Sequence, residues 1–200
     1  MLHFQRFRCA VIVSLLAIGW PAWSLSGLII KSDDVTISNL TIAGTPTQRF
    51  DSAIERPGDA LYNRTVIDNV SIDKSGTAVT GAIDLGQLDT PFRSSGNVVR
   101  NSSITDANFA GIVLKAGEAE ITNNSIEGVV GAGVYVQSSG MTFNTPALVN
   151  VTANTISNAG IGVRIMQADT LSVIGGTAGQ GNTFSLGAAG VPTYGVVVEW

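Results

Sequence analysis

A short unit recurs along the chain: an aliphatic residue, a polar position usually followed by Asn, two further residues and a closing Ile or Phe. It reads Ile37-Ser38-Asn39-Leu40-Thr41-Ile42, Ile67-Asp68-Asn69-Val70-Ser71-Ile72, Val99-Arg100-Asn101-Ser102-Ser103-Ile104, Ile121-Thr122-Asn123-Asn124-Ser125-Ile126 and Val151-Thr152-Ala153-Asn154-Thr155-Ile156, with a degenerate copy at Gly179-Gln180-Gly181-Asn182-Thr183-Phe184. The closing residues Ile42, Ile72, Ile104, Ile126, Ile156 and Phe184 are separated by 30, 32, 22, 30 and 28 residues. A period of that size with variable spacing describes a coil repeated with loops of different length.

Within each unit apolar and polar residues alternate, as in Val35-Thr36-Ile37-Ser38, which is the period-two pattern of strands with one buried face. Between the two halves sits a position held in turn by Asn39, Asn69, Asn101, Asn123, Ala153 and Gly181. Asn and Gly tolerate left-handed backbone angles, so this position predicts a one-residue bend joining two strands. At Ala153 the same logic predicts strain or a different bend. The next position carries Leu40, Val70, Ser102, Asn124, Asn154 and Asn182. If coils stack in register, Asn124, Asn154 and Asn182 form an inward amide ladder, each side chain donating and accepting between coils. All seven asparagines, Asn39, Asn69, Asn101, Asn123, Asn124, Asn154 and Asn182, are therefore assigned structural roles.

A second strand follows each unit, usually introduced by Gly: Ile83-Asp84-Leu85, Gly111-Ile112-Val113-Leu114, Gly133-Val134-Tyr135-Val136, Gly162-Val163-Arg164-Ile165 and Gly195-Val196-Val197-Val198. The strand after Gly81 needs a one-residue slip past Ala82 to keep Asp84 out of the core. The first coil's version is placed near Ala60-Leu61-Tyr62. Successive coils then pair as parallel strands about 4.8 Å apart. Outward positions would stack as Asp84, Val113, Tyr135, Arg164 and Val197, with Lys115, Gln137, Met166 and Glu199 alongside.

These units resemble the repeats of right-handed parallel β-helix proteins, the pectate-lyase-like superfamily in the wide sense, over nearly all of residues 28–200. Val173-Ile174-Gly175-Gly176-Thr177-Ala178-Gly179-Gln180-Gly181-Asn182-Thr183 is similar to a segment of large secreted bacterial β-helix proteins of unassigned activity. The resemblance implies an all-β, right-handed parallel β-helix of about six coils, and it carries the handedness together with the general preference for right-handed crossovers. β-Helices of this superfamily normally carry end caps. Here Leu28-Ile29-Ile30 begins a strand soon after the N-terminus and Val196-Val197-Val198-Glu199-Trp200 ends inside one. The expectation is a chain truncated at the C-terminus, with further coils or another chain over that end.

The 200 residues are 44% hydrophobic and 13% charged, which fits a globular chain built from strands and turns. Arg6 and Arg8 precede an apolar stretch from Cys9 to Trp20, followed by Pro21 and Ala22-Trp23-Ser24. That order is the secretory signal pattern, so residues 1–24 are assigned as a signal peptide and residues 25–200 as the repeat domain, secreted or in the cell envelope. The apolar run is shorter than the ~20 residues a spanning helix needs, and no other candidate span occurs. Cleavage leaves nine basic against fifteen acidic residues, a net charge of −6, and removes the only Cys and the only His. The exported part then has no thiol nucleophile, disulfide or imidazole, and its acidic balance argues against nucleic acid as a partner.

Enzymes of the superfamily supply two templates for chemistry. Pectin hydrolases resemble one another in Asn-Thr-Asp, Asp-Asp, Gly-His-Gly and Arg-Ile-Lys elements, whereas this chain has Ser32-Asp33-Asp34, no His after the signal, and Arg164-Ile165-Met166. Asp33 and Asp34 lie on the first coil, far from Arg164, and read as a turn before a strand. Lyases of the superfamily use an Arg or Lys base with calcium held by acidic residues. Lys115, Tyr135 and Arg164 are the catalytic candidates under that template, and calcium is the only cofactor it would call for. No metal-ligating cluster is assigned. Asp84, Lys115, Tyr135, Gln137 and Arg164 are the candidate binding residues, on one exposed face suited to a polysaccharide or cell-surface glycan. The loops Ala43 to Asp59 and Gln87 to Gly96 show no ligand spacing, and four of six Asn-x-Ser/Thr sequons, at Asn39, Asn63, Asn69, Asn101, Asn123 and Asn150, fall on the bend position. The leading expectation is an exported, non-catalytic β-helix module acting as a rigid spacer or surface-interaction segment of a larger extracellular or envelope protein. The alternative is a polysaccharide-active enzyme, a uronate lyase before a glycoside hydrolase.

Overall fold

The computed structural model describes residues 27–44, 50–73, 75, 80–86, 90–138, 143–185, 187 and 193–199. The assigned signal peptide with His3 and Cys9, the loop residues Arg49 and Asp89, and Trp200 lie outside these. Seventeen strands follow in chain order. They are β1 (Leu28–Ile29), β2 (Thr36–Ala43), β3 (Ile54–Arg56), β4 (Val66–Asp73), β5 (Gly81–Leu85), β6 (Asn97–Arg100), β7 (Ser103–Thr105), β8 (Ala110–Lys115) and β9 (Glu118–Thr122). The chain continues through β10 (Ser125–Glu127), β11 (Ala132–Gln137), β12 (Leu148–Thr152), β13 (Thr155–Ser157), β14 (Ile161–Met166), β15 (Val173–Ile174), β16 (Thr183–Ser185) and β17 (Tyr194–Glu199).

All strand pairs are parallel and fall into two sheets. The first contains β1, β3, β5, β8, β11, β14 and β17 in that order. The second has two arms that meet at β4: β6, β9, β12 and β15 extend one, and β7, β10, β13 and β16 the other, while β2 pairs with the whole of β4. The chain therefore winds as a parallel β-helix, and its core lies between the sheets. The closing residues of the repeat stack in one inward column, Ile42, Ile72, Ile104, Ile126, Ile156 and Phe184. Opposite them run Ile54, Ile83, Ile112, Val134, Val163 and Val196. The inner members of both columns are fully buried, each such side chain contributing ~1.5–3 kcal/mol.

Register explains the recurrent glycines before the first-sheet strands. A Cβ at Gly111 would lie 2.8 Å from the Ile126 side chain, and one at Gly133 would lie 2.6 Å from that of Ile156. Glycine here admits the closing isoleucine of the next coil. The predicted slip past Ala82 is present: Gly81 pairs with Ala110 and Ile83 with Ile112, leaving Asp84 on the outer side. The first-sheet strand of the preceding coil is Ile54–Arg56 rather than the stretch near Ala60-Leu61-Tyr62. Its inward third residue is an arginine, which hides the apolar alternation. Arg56 is 1% exposed and donates to the carbonyls of Gly86 at 2.8 Å and Tyr62 at 2.9 Å and to Asn97 Oδ1 at 2.9 Å. Burial lowers its pKa to about 10, opposed by the charge of Asp84.

The bend positions take the left-handed angles expected of them. Asn39, Asn69, Asn101 and Asn123 have φ of 54°, 54°, 51° and 56°, and Ala153 adopts 55° despite its Cβ. The strand breaks at Asn101, Asn123 and Ala153 but runs on through Asn39 and Asn69. Gly181 departs from the expectation. It reaches the same corner, where the amide of Ala153 donates to the carbonyl of Gln180 at 2.7 Å, yet the positive φ angles fall earlier, at Gly175, Gly176 and Gly179. An excursion after β15, turned at Thr177–Gln180, replaces the single-residue bend.

The amide ladder is present and starts one coil earlier than expected. Asn124 Nδ2 donates to Asn154 Oδ1 at 3.0 Å, and Asn154 Nδ2 to Asn182 Oδ1 at 3.0 Å. The same oxygens accept the backbone amides of Asn124 and Asn154 at 2.9 and 3.0 Å. Asn124 Oδ1 accepts from the Ser102 amide, and Ser102 Oγ from that of Val70, so serine extends the row. A second, exposed contact joins Asn69 Nδ2 to Asn39 Oδ1 at 2.7 Å.

Asn154→Ala removes the central link and strands buried partners on both sides; a loss of ~3 kcal/mol is expected in urea unfolding, and a smaller loss for Asn182→Ala, whose site is only half-buried. Ala153→Gly relieves the left-handed alanine and should raise stability by about 1 kcal/mol in the same assay. Loss of stability on that glycine substitution would contradict the strain reading.

Candidate functional site

The candidate residues sit on β5, β8, β11 and β14, whose outward side chains are placed by the strand register. Asp84 pairs with Val113, Val113 with Tyr135, Tyr135 with Arg164 and Arg164 with Val197. A parallel column joins Lys115, Gln137, Met166 and Glu199. Both columns are those expected from the repeat. Their exposure is not: Asp84 is 4%, Val113 1% and Tyr135 8% exposed. For Val113 and Tyr135 the physical reason is a second apolar cluster outside the sheet, in which Ala110, Val113, Ala132 and Tyr135 pack with Phe109, Ile161 and Met166. Phe109 meets the Tyr135 ring edge-on, 5.3 Å between centroids at 81°. Lys115, Gln137 and Arg164 remain half-buried at the margin of this cluster.

The charges on the face are arranged in pairs. Lys115 Nζ lies 2.9 Å from Asp84 Oδ2. Arg164 Nη2 lies 2.9 Å from Glu199 Oε2 and 3.0 Å from Oε1, and its guanidinium carbon is 5.6 Å from the Tyr135 ring centre. Tyr135 Oη donates to Met166 Sδ at 2.8 Å. Arg164 thus binds a carboxylate and an aromatic face at once, a geometry that the planar guanidinium accommodates. The face splits into two polar patches, Asp84 with Lys115 and Tyr135 with Arg164 and Glu199.

Burial pushes the Asp84 carboxyl above its usual range, against the pull of Lys115. Its second oxygen, Oδ1, is buried with no hydrogen-bond donor among the described residues. Burial likewise raises the Tyr135 phenol, which Arg164 lowers and Glu199 raises further. A phenol shifted upward stays protonated at neutral pH and is a donor rather than a base. Each basic side chain of the face is held by a carboxylate. Among the described residues no group of three or more His, Cys, Asp or Glu side chains could hold a metal ion. Asp33 and Asp34 are turn residues that bind the next coil: Asp33 Oδ1 accepts the Asn63 amide at 2.7 Å and Asp34 pairs with Arg64 at 2.6 Å.

Sequence reasoning missed the two polar groups nearest this face. Arg56 lies inside the coil close enough to Asp84 for their charges to interact, and Glu55 pairs in register with Asp84 on the outer side. Both were assigned to a loop, and Ala53-Ile54-Glu55-Arg56 holds too few apolar residues to signal a strand. The Phe109 contact also had no sequence signal, because that residue precedes the strand it covers.

No curated protein and no solved structure matches the chain. A family model described as a right handed beta helix region matches residues 22–195. The chain belongs to the right-handed β-helix family.

Proposed function

We propose that the chain is an exported, non-catalytic β-helix module, a rigid spacer that also offers a surface for a polysaccharide or cell-surface glycan. The observation that carries this reading is the pairing of both candidate cations, Lys115 with Asp84 and Arg164 with Glu199. A lyase base must be free to accept a proton, and a uronate clamp must present unsatisfied positive charge. Stacked strands with a continuous core and no described helix support the spacer role, since such a solenoid bends little along its axis. Half-exposed Lys115, Gln137 and Arg164 support contact with a glycan at the margin of the apolar cluster. Export rests on the N-terminal pattern of the sequence.

Incubation with a panel of uronic-acid polymers, with and without calcium, should give no rise in the absorbance of unsaturated products. A calcium-dependent rise lost in Lys115→Ala or Arg164→Ala would establish the lyase instead. In a glycan array the module should retain an acidic polymer weakly. Glu199→Gln, which frees Arg164, should strengthen that retention ~2–5-fold, and Arg164→Ala should abolish it. Retention unaffected by either substitution would dismiss this face as the glycan surface.

A further inference from the structure

The outer side of the second sheet carries a groove on its β6, β9 and β12 arm, away from the face just described. Its volume is about 290 Å³, and Val98, Glu118, Glu120, Leu148, Asn150 and Leu171 are among its lining. Register fixes the floor: Val98, Glu120, Asn150 and Val173 form one outward column, and Glu118 stands beside Leu148. Elsewhere on this arm a charge is compensated, as Arg100 is by Asp68 at 2.9 Å. The Glu118 and Glu120 side chains enter no ion pair or hydrogen bond among the described residues.

Leu171 forms the wall and is 73% exposed, while Val173 below it is 43% exposed. An exposed leucine on a loose loop would carry no information. This one is pinned. Its amide donates to Asp169 Oδ1 at 2.9 Å, Ser172 N donates to the Asp169 carbonyl at 3.0 Å, and Ser172 Oγ accepts from Val149 N at 3.1 Å. Asp169 is in turn ion-paired with Arg93, whose Nε donates to the Pro146 carbonyl at 2.8 Å. The apolar wall is thus held in place beside two uncompensated carboxylates, before any partner arrives.

We propose that this groove docks an extended segment of a partner polypeptide carrying basic residues at alternate positions and an aliphatic residue beside them. Charge complementarity selects a cation, because among the described residues two carboxylates and no basic side chain line the groove. Spacing selects an extended peptide. Glu118 and Glu120 alternate on β9, so their Cα atoms are about 6.7 Å apart, the same repeat with which an extended peptide presents side chains to one side. The walls select aliphatic over sugar contacts, since leucine and valine, and no aromatic side chain among the described residues, line the groove.

The probe is acetyl-Lys-Thr-Lys-Thr-Leu-amide, titrated into the isotopically labelled protein and followed by amide chemical shifts. Shifts confined to β9, β12 and the turn at 169–172 are expected, weakening ~2–5-fold in Glu120→Gln and falling away as salt rises. Leu171→Ser should weaken binding without shifting the remaining strands. The permuted peptide acetyl-Lys-Lys-Thr-Thr-Leu-amide, with equal charge but lysines on opposite sides, should bind more weakly. Equal binding of the two peptides, stronger shifts from glucosamine oligomers, indifference to both substitutions, or no shifts at all would each overturn the proposal.

Discussion

The side-chain amide of Asn154 is the interaction on which the stacking of the coils depends. It lies in the core, where an unpaired amide costs several kcal/mol, and is tolerated because the neighbouring coils complete it. Its oxygen accepts from the backbone and side chain of Asn124, while its nitrogen donates to Asn182 and to the carbonyls of Ile121 and Thr152. A one-residue slip between coils would break all of these bonds except the one to Thr152, which lies within the same coil, and turn the isoleucine column outward. Polar satisfaction and apolar stacking therefore impose the same register. Serine at 102 shows that the requirement is for an acceptor at this point, since its hydroxyl receives the Val70 amide as the asparagines receive theirs.

That register decides what the outer faces can do. Residues two apart on a strand project to the same side, and each outward column repeats at the coil spacing, so like charges would stack if the repeat were strict. On the first sheet the charges are answered diagonally between neighbouring columns, Asp84 by Lys115 and Arg164 by Glu199 of the next coil, although Glu55 stacks beside Asp84 in one outward column. The result is a neutralised face sealed by Phe109 and Tyr135. The groove on the second sheet lacks such pairing, and Glu118 and Glu120 enter no ion pair among the described residues.

Local backbone requirements and period-two patterning were legible in the residues, because both are properties of short segments. The left-handed asparagines, the slip past Ala82 and the outward columns through Tyr135 and Arg164 all follow from spacing alone. Exposure was not legible. The burial of Val113 and Tyr135 depends on Phe109, Ile161 and Met166, which come together from different coils only once the chain is wound. Arg56 escaped for a different reason: a charged residue at an inward position contradicts the pattern that marks strands, and only Asn97 and three backbone carbonyls make it acceptable there. The left-handed angle assigned to Gly181 failed because an inserted turn moved the reversal upstream.

The groove on the second sheet arises where the coil departs from its repeat. A strict repeat yields flat columns of alternating side chains, and a flat column encloses no volume. The turn at Asp169 lifts Leu171 above the sheet, and the short β15 that follows leaves Val173 uncovered. The Arg93–Asp169 ion pair bridges residues 76 apart in sequence, so the departure is fastened to an earlier coil rather than left to move. A stiff stack supplies the frame and an anchored irregularity supplies the shape. The groove proposed for a basic peptide therefore takes its shape from the anchored turn beside β12, and the regular columns contribute its rigidity.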